Sequence, residues 1–196
     1  FLEKPLSASA LNKYMICPLD YYYRYLVEFG EDKEVEEEIE NHTFGSIIHT
    51  TLEVLFTPFA QRDKLGNFIQ PAPPPLRDKD VVKMLATYKD HIYQGFLAHF
   101  DHDETLFKTG KNRLSYEMAL EITRNVLEKE LQFIQSSTEP LYIEQIEAEM
   151  HAEIEVPFQG GIRTLTFKGY IDRIDRVGEK YRVIDYKTGK VKSDDV

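Results

Sequence analysis

The spacing of apolar residues changes near Leu141, and this change constrains the fold more than any other feature of the sequence. Before Leu141, apolar residues recur every three or four positions, as they do in amphipathic helices. After it, apolar and polar residues alternate as in half-buried strands, and glycine-containing turns interrupt the alternation at 160–161 and 177–179. The pattern predicts three consecutive antiparallel strands packed against a helical first two thirds, which is an α/β (α+β) fold.

Four helical segments are predicted before the strands. The first begins near Ser7 or Ser9, either of which can cap it, and Pro18 splits it in two. The other three cover 41–59, 80–100 and 113–134.

Length and composition indicate one soluble, intracellular domain. A chain of 196 residues can bury a core of its own, and Cys17, the single cysteine, excludes an internal disulfide and fits a reducing cytoplasm. Apolar runs are all much shorter than the roughly 20 residues that span a bilayer, and the first residues do not resemble a signal peptide. We therefore expect no membrane partner.

The net charge of −10, from 24 basic and 34 acidic residues, argues against a surface that wraps a polyanion by itself. Much of the excess lies in one run, residues 28–40, where most side chains are acidic. Affinity for a phosphate-bearing substrate is then expected to come from metal ions or from attached domains.

Charged residues are concentrated in the last two predicted strands, in "GYIDRIDRVGEKYRVIDYKTGK". Alternation places Asp185 and Lys187 on one face, and a short hairpin can return Asp172 beside Asp185. Isolated charges in such apolar strands cost several kcal/mol each unless they are paired or bind a metal. Asp185 and Lys187 can form a structural ion pair on an exposed face, but such a pair does not account for Asp172 or for the glycine of "KGYID".

A divalent metal site is the second explanation for these residues. Mg²⁺ or Mn²⁺ commonly binds one or two carboxylates together with a substrate phosphate, and Mn²⁺ also accepts an imidazole. Asp172 and Asp185 meet that requirement, and Lys187 can orient or deprotonate a water or stabilise charge on phosphorus. The chemistry predicted from these residues is phosphodiester hydrolysis.

Four motifs in order resemble the PD-(D/E)XK nucleases, in the branch that contains RecB-type and AddB-type exonuclease domains, CRISPR adaptation exonucleases and lambda-type exonucleases. The motifs are "LSASALNKYMICPLDYYYRYL", "FGSIIHTTLE", "GYIDRID" and "VIDYKTGK", and they span Leu6 to Lys190. The resemblance implies a restriction-endonuclease-like core, with a mixed β-sheet built on an antiparallel meander and flanked by helices.

The resemblance also implies roles for individual residues. Asp172, Asp185 and Lys187 are the implied catalytic residues, and both aspartates are implied metal ligands. His49 of the Gly-x-x-x-His-x-x-x-Glu helix and the backbone carbonyl of Tyr186 are implied as further ligands of Mg²⁺ or Mn²⁺. From the residues alone, the usual explanation of His49 is a histidine on the helix surface or in the core.

Three glutamates near the motifs each have more than one possible role. Glu53 lies one helical turn after His49, where it can orient that side chain or take part directly. Glu147 and Glu149 of the first predicted strand can supply a further acid, although a solvated strand face explains both.

The basic and aromatic residues near the motifs also have two explanations each. Arg173 and Arg176 can contact a DNA phosphate or form salt bridges with nearby acids. The tyrosines at 21–25 can stack on unpaired bases, but we expect most of them to pack in the core.

Cys17 is explained either as a small buried apolar residue or as one ligand of an iron–sulfur cluster. Members of the RecB type that carry a cluster have three further cysteines after a closing helix, which follows the D-x-K strand and bears Gln and Tyr. This sequence ends at Val196 before any such segment. A cluster is therefore expected only if cysteines lie beyond this sequence.

The function implied is a metal-dependent DNA exonuclease domain of a bacterial, cytoplasmic helicase–nuclease used in recombination or double-strand-break repair. Its substrate would be linear or single-stranded DNA ends, and its partner a helicase domain or subunit. We expect residues 1–196 to form a single nuclease domain cut from a longer chain, with 62–139 as a helical insert that carries no motif.

Two alternatives remain. One is a stand-alone nuclease of the CRISPR adaptation kind, which the helical insert and acidic run make less natural. The other is a non-catalytic nuclease fold that acts as a scaffold or DNA-binding module. Loss of Asp172, Asp185 or Lys187 would favour the second alternative, and all three are present.

Overall fold

The structure is a computed structural model that describes residues 5–27 and 38–189. Most of the acidic run predicted at 28–40 lies outside the described residues, and so do residues 1–4 and 190–196. The helices are α1 (Ala8–Ile16), α2 (Pro18–Tyr21), α3 (Asn41–Phe56), α4 (Asp78–His99) and α5 (Gly110–Ser136). The strands are β1 (Leu6–Ser7), β2 (Leu141–Phe158), β3 (Gly161–Val177) and β4 (Lys180–Ile184).

The chain divides into two compact units. The first, the N-terminal unit, contains described residues 5–27 together with 149–171. The second, the core unit, contains described residues 38–148 together with 172–189. The single domain predicted over 1–196 and the insert predicted over 62–139 stay predictions.

The core unit is built on three amphipathic helices. α4 packs against both α3 and α5, and the residues of α3 that point inward follow the three- and four-residue spacing of its sequence. The most deeply buried apolar side chains of this core come from α3, α4, α5 and β2: Ile48, Leu52, Phe56, Val81, Ile92, Phe96, Leu127 and Ile143. This packing confirms an amphipathic helix within the segment predicted over 41–59, and it leaves His49 and Glu53 on a stripe next to the apolar face.

The predicted meander is confirmed. A two-residue turn joins β2 to β3, and strands joined in this way run antiparallel. β3 and β4 pair antiparallel from Arg173↔Ile184 to Val177↔Lys180, and Gly178 in the turn between them adopts φ 59°. One residue beyond the paired segment, the same register puts Asp172 opposite Asp185, as the alternation predicted.

The N-terminal unit begins with β1, which pairs with β3 in parallel at Leu6↔Phe167 and makes the described sheet mixed. Ser7 caps α1 by accepting a hydrogen bond from the Ala10 amide at 3.1 Å, as predicted. Pro18 begins α2, so the predicted split of the first helix is also confirmed.

Two expectations about this unit are wrong. Cys17 is exposed rather than buried, because it lies in the break between α1 and α2. Of the tyrosines expected in the core, Tyr21 is buried, whereas Tyr22, Tyr23 and Tyr25 are exposed. These three lie in a wider helical turn, Tyr22–Leu26, in which no residue is buried, so the spacing that would bury an apolar face is lost.

The architecture agrees with the predicted class, a mixed α/β fold whose antiparallel meander is flanked by helices. None of the helices in the described part of the chain combines the length and the apolar character of a membrane span.

Candidate metal centre

Three side chains of the core unit converge on one point: His49 from α3, Glu147 from β2 and Asp172 from β3. One potential ligand atom from each lies within 4.8 Å of those of the other two, and all three side chains are half-buried. Within the described residues, these are the side chains whose spacing suits a metal ion. An imidazole and two carboxylates are donors that Mn²⁺ accepts, and the carboxylates also suit Mg²⁺.

Asp172 is held from two directions. Its Oδ2 accepts a hydrogen bond from the amide of Tyr186 at 2.5 Å, and its Oδ1 lies 3.5 Å from Nδ1 of His49. Burial opposes the charged form, but the hydrogen bonds from His49 and from the Tyr186 amide outweigh it and lower the pKa of Asp172. The carboxylate is therefore ionised at neutral pH, as a metal ligand must be.

His49 uses both ring nitrogens. Nε2 lies 2.7 Å from the Tyr186 carbonyl oxygen, and Nδ1 is the nitrogen that faces Asp172. When Nε2–H donates to that carbonyl, Nδ1 keeps its lone pair for a metal ion, an arrangement typical of metal-binding histidines. Without a cation the hydrogen bond to Asp172 raises the pKa of His49, while burial opposes the shift.

Glu147 reaches the site through an irregular part of β2. Its φ is 50°, in the left-handed region that non-glycine residues avoid at a cost of about 1 kcal/mol or more. The buried positions also change phase here, from Leu141 and Ile143 to Ile146 and Ala148. Such irregularities redirect side chains next to functional sites. Burial and the carboxylates of Asp172 and Glu53 raise the pKa of Glu147.

The sequence contains a signal for Glu147 that the strand pattern obscured. Regular alternation puts Glu147 and Glu149 on one face of the strand, so the pattern does not show which of them belongs to the site. The apolar residues Ile143 and Ile146 are three positions apart, however, and this spacing breaks the alternation before Glu147. In the structure Glu149 belongs to the N-terminal unit and accepts hydrogen bonds from Tyr170 and His151, both at 2.8 Å.

Glu53 lines the same small pocket as the three ligand candidates, but a lysine already pairs with it. Nζ of Lys64 lies 2.5 Å from its Oε1, and this contact raises the pKa of Lys64. The Gln145 side chain donates to the carbonyls of Asp63 and Lys64, which fixes the loop that carries Lys64 against β2. The Glu53–Lys64 pair is neutral as a whole.

Asp185 and Lys187 form an ion pair of their own, with Nζ of Lys187 at 2.6 Å from Oδ2 of Asp185. Their side chains are 53% and 65% exposed, so solvent screens much of the attraction. Lys187 also lies close enough to favour the ionised form of Asp172. The structure therefore places Lys187 near the site, whereas the Asp185 carboxylate is directed to Lys187 rather than into the three-ligand group.

Of the two explanations for Arg173, a DNA contact and a salt bridge, the structure shows the salt bridge. Its side chain is 1% exposed and donates to Asp175 at 2.8 and 2.9 Å, because alternation turns it away from Asp172. Arg176 has the salt-bridge partner that the sequence left open, since its Nε donates to Glu144 at 2.6 Å. It is part-buried, and its contact with DNA stays a prediction.

Comparison with known proteins identifies the family. The sequence model described as "PD-(D/E)XK nuclease superfamily" matches residues 5–196, which is nearly the whole chain. The chain belongs to the PD-(D/E)XK nuclease superfamily.

A curated relative of this nuclease chain is a subunit of the "ATP-dependent helicase/deoxyribonuclease" of Carboxydothermus hydrogenoformans, which is 27% identical over 196 residues. The match covers 96% of this chain and 16% of that protein, so the chain spans about a sixth of the relative's length. Both findings confirm the resemblance to RecB-type and AddB-type nucleases. No solved structure matches the chain.

PD-(D/E)XK nucleases generally use divalent metals, and the residues of this member fit one. Within the part of the chain that the structure describes, the Glu53–Lys64 and Asp185–Lys187 pairs are each neutral, and Asp172 and Glu147 are the carboxylates beside His49 without a lysine or arginine in a salt bridge. The pKa of His49 is raised mainly by its hydrogen bond to Asp172, and the pKa of Glu147 is raised mainly by burial and by the neighbouring carboxylates. A divalent cation bound among these groups would take the place of the protons.

Proposed function

We propose that the chain is a metal-dependent deoxyribonuclease that hydrolyses phosphodiester bonds. The observation that carries the proposal is the convergence of His49, Glu147 and Asp172 beside the D-x-K segment of a PD-(D/E)XK nuclease. His49, Glu147 and Asp172 would hold Mg²⁺ or Mn²⁺. The bound ion supplies electrostatic stabilisation of the charge that develops on the phosphate.

The chain's own residues divide the remaining work. Asp172 stays ionised and fixed by the Tyr186 amide, so it needs little reorganisation to bind a cation. Lys187 is exposed on the segment next to Asp172, where its ammonium group can contact a phosphate oxygen or orient the attacking water. Asp185 lies opposite Asp172 when the strand register is extended by one residue. We propose it as a further ligand, whose carboxylate would leave its ion pair with Lys187 and bind the metal.

The first test is DNA hydrolysis with Mg²⁺ or Mn²⁺ by wild type, Asp172→Asn and Lys187→Ala. Linear single-stranded, linear double-stranded and closed circular DNA serve as substrates. We expect metal-dependent loss of linear DNA by wild type and none by either variant. Asp90→Asn, an exposed aspartate of α4, is the matched control and should cut like wild type.

The outcome of this test separates the proposals. Survival of closed circles while linear DNA is lost supports an exonuclease. Cutting of circles contradicts that mode but keeps the nuclease. No metal-dependent cutting of any DNA by the wild type contradicts the enzyme and favours a non-catalytic DNA-binding or scaffolding role.

We further propose that the chain acts beside a DNA helicase in recombination or break repair. Two observations support this: the relative is named as part of a helicase/deoxyribonuclease, and the net charge of −10 gives this chain little affinity of its own for a polyanion. The test compares DNA degradation by the full-length natural protein with and without ATP. ATP should accelerate degradation of long duplexes, and an identical rate without ATP would contradict the helicase partner.

A further inference from the structure

We propose that Tyr186 is a positioning residue for the metal centre, and that a buried ionic network behind the site holds it in place. The network is defined as Glu130, Arg173, Asp175 and Arg182. The inference rests on the proposed metal-dependent function and adds the residues that set the geometry of its ligands.

The main chain of Tyr186 contacts two of the three ligand candidates. Its amide donates to Oδ2 of Asp172 at 2.5 Å, and its carbonyl oxygen lies 2.7 Å from Nε2 of His49. One peptide segment therefore orients a carboxylate from β3 and an imidazole from α3. A rotation of Tyr186 would move both ligands together.

Tyr186 lies where the strand ladder no longer holds the chain. β4 ends at Ile184, and the next described residues adopt no regular strand. Another anchor is therefore needed, and the side chain supplies it. The phenol oxygen accepts a hydrogen bond from Nη1 of Arg173 at 3.1 Å, and the ring packs against the apolar core of the core unit.

Arg173 is itself fixed by opposite charges. Nε and Nη2 donate to the two oxygens of Asp175 at 2.9 and 2.8 Å, and Nη2 also pairs with Glu130 of α5. Its guanidinium lies over the ring of Phe56, 4.3 Å from the ring centre. With Nε and Nη2 engaged by carboxylates, Nη1 is the nitrogen that Arg173 directs at Tyr186.

Arg182 from β4 completes the network. It donates to Glu130 at 2.9 Å, and its Nη1 lies 3.8 Å from Asp175, so two arginines and two carboxylates compensate each other. Glu130, Arg173 and Asp175 are buried and Arg182 is part-buried, and a network that is neutral as a whole holds its shape without a further ligand. It ties α5, β3 and β4 together and reaches the site through the Tyr186 hydroxyl.

The test is Tyr186→Phe, which removes the hydroxyl and keeps the ring. We expect Mn²⁺ affinity to fall about tenfold, a typical effect of losing a group that orients a metal ligand. Mn²⁺ binding is measured by calorimetry or paramagnetic resonance, so it is read independently of activity.

Tyr93→Phe is the matched control. Tyr93 is a part-buried tyrosine of α4 whose hydroxyl donates to Glu104 at 2.8 Å, and neither residue is in the metal centre. Both variants lose one hydroxyl hydrogen bond, so both should show a similarly small drop in Tm. Only Tyr186→Phe should weaken Mn²⁺ binding.

A second variant tests the contact between Arg173 and the Tyr186 hydroxyl by changing the network. Glu130→Gln keeps the shape of the side chain but weakens the hold on Arg173, so Mn²⁺ affinity should fall by about twofold to fivefold. Wild-type affinity in both Tyr186→Phe and Glu130→Gln would overturn the inference.

Asp172→Asn distinguishes a failure of the proposed metal centre from a failure of the positioning role of Tyr186. If Asp172→Asn loses Mn²⁺ binding and Tyr186→Phe does not, the metal centre stands and the positioning role is wrong. If Asp172→Asn binds Mn²⁺ as wild type does, the metal centre itself is wrong and the inference fails with it.

Discussion

Asp172 and Asp175 are three residues apart on β3, yet they lie in opposite chemical environments. Asp175 is 0% exposed and belongs to a network in which two arginines compensate two carboxylates. Asp172 lies on the other face beside Glu147 and His49, and the two lysines of the described residues that act on these carboxylates, Lys64 and Lys187, already pair with Glu53 and Asp185. Burial of charge therefore does not by itself indicate a binding site. Carboxylates that lack a cationic partner among the described residues are the better indicator.

The largest effect is expected on the face of β3 that carries Asp172. Asp172→Asn keeps an acceptor for the Tyr186 amide but removes the charge that binds the cation. DNA hydrolysis should fall by about a thousandfold or more, equivalent to about 4 kcal/mol, whereas the free energy of unfolding should change by less than about 1 kcal/mol. Hydrolysis rates and urea unfolding give the two values.

The same substitution at Asp175, on the opposite face of β3, should lower the stability of the fold. Asp175→Asn leaves the buried Arg173 and the part-buried Arg182 with Glu130 as the remaining carboxylate of the network, and breaking a buried pair costs about 3 to 5 kcal/mol. Urea unfolding of Asp175→Asn should show that loss. If Asp175→Asn is no less stable than Asp172→Asn, the proposed difference between the two faces of β3 is wrong.

The pH dependence of Mn²⁺ binding is the next effect in size. The pKa values of His49 and Glu147 are raised above their ordinary values, and a metal ion needs both groups deprotonated. Protons therefore compete more strongly as the pH falls, and Mn²⁺ affinity should drop by about tenfold or more between pH 8 and pH 6. Calorimetry at a series of pH values checks this, and a flat profile would contradict it.

The smallest expected effect concerns the approach of α3 to the segment that carries Lys187. A Cβ on Gly45 would lie 3.0 Å from Oγ1 of Thr188. Gly45→Ala should gain up to about 1 kcal/mol of helix stability but displace Thr188 and slow DNA cutting severalfold. Adding Thr188→Ala should restore the rate, since it removes the crowded oxygen. Full activity of Gly45→Ala alone would show that close approach is unimportant.

Much of the hairpin was predictable from the sequence, because strand alternation and glycine turns are local signals. The register that brings Asp172 opposite Asp185 follows from them. The same alternation put Arg173 and Asp175 together on the face away from Asp172. Of the two explanations left open for Arg173, a DNA contact and a salt bridge, the salt bridge to Asp175 follows from this placement, and the structure shows it.

The rest of the site depends on contacts that no local pattern encodes. His49 is 123 positions from Asp172, and only the resemblance to a nuclease family linked them. Glu147 was not separable from Glu149, because its place in the site depends on a backbone irregularity in β2. The network behind the site is likewise invisible in the sequence, since Glu130 comes from a helix with no motif.

The most direct test of the account is Mn²⁺ binding to wild type and to His49→Ala, Glu147→Gln and Asp172→Asn, measured by calorimetry at one pH. His42→Ala, an exposed histidine of the same helix, is the control. We expect each of the three variants to weaken Mn²⁺ binding by about tenfold or more, whereas His42→Ala should bind as wild type does. Wild-type affinity in all three would contradict a metal centre formed by His49, Glu147 and Asp172.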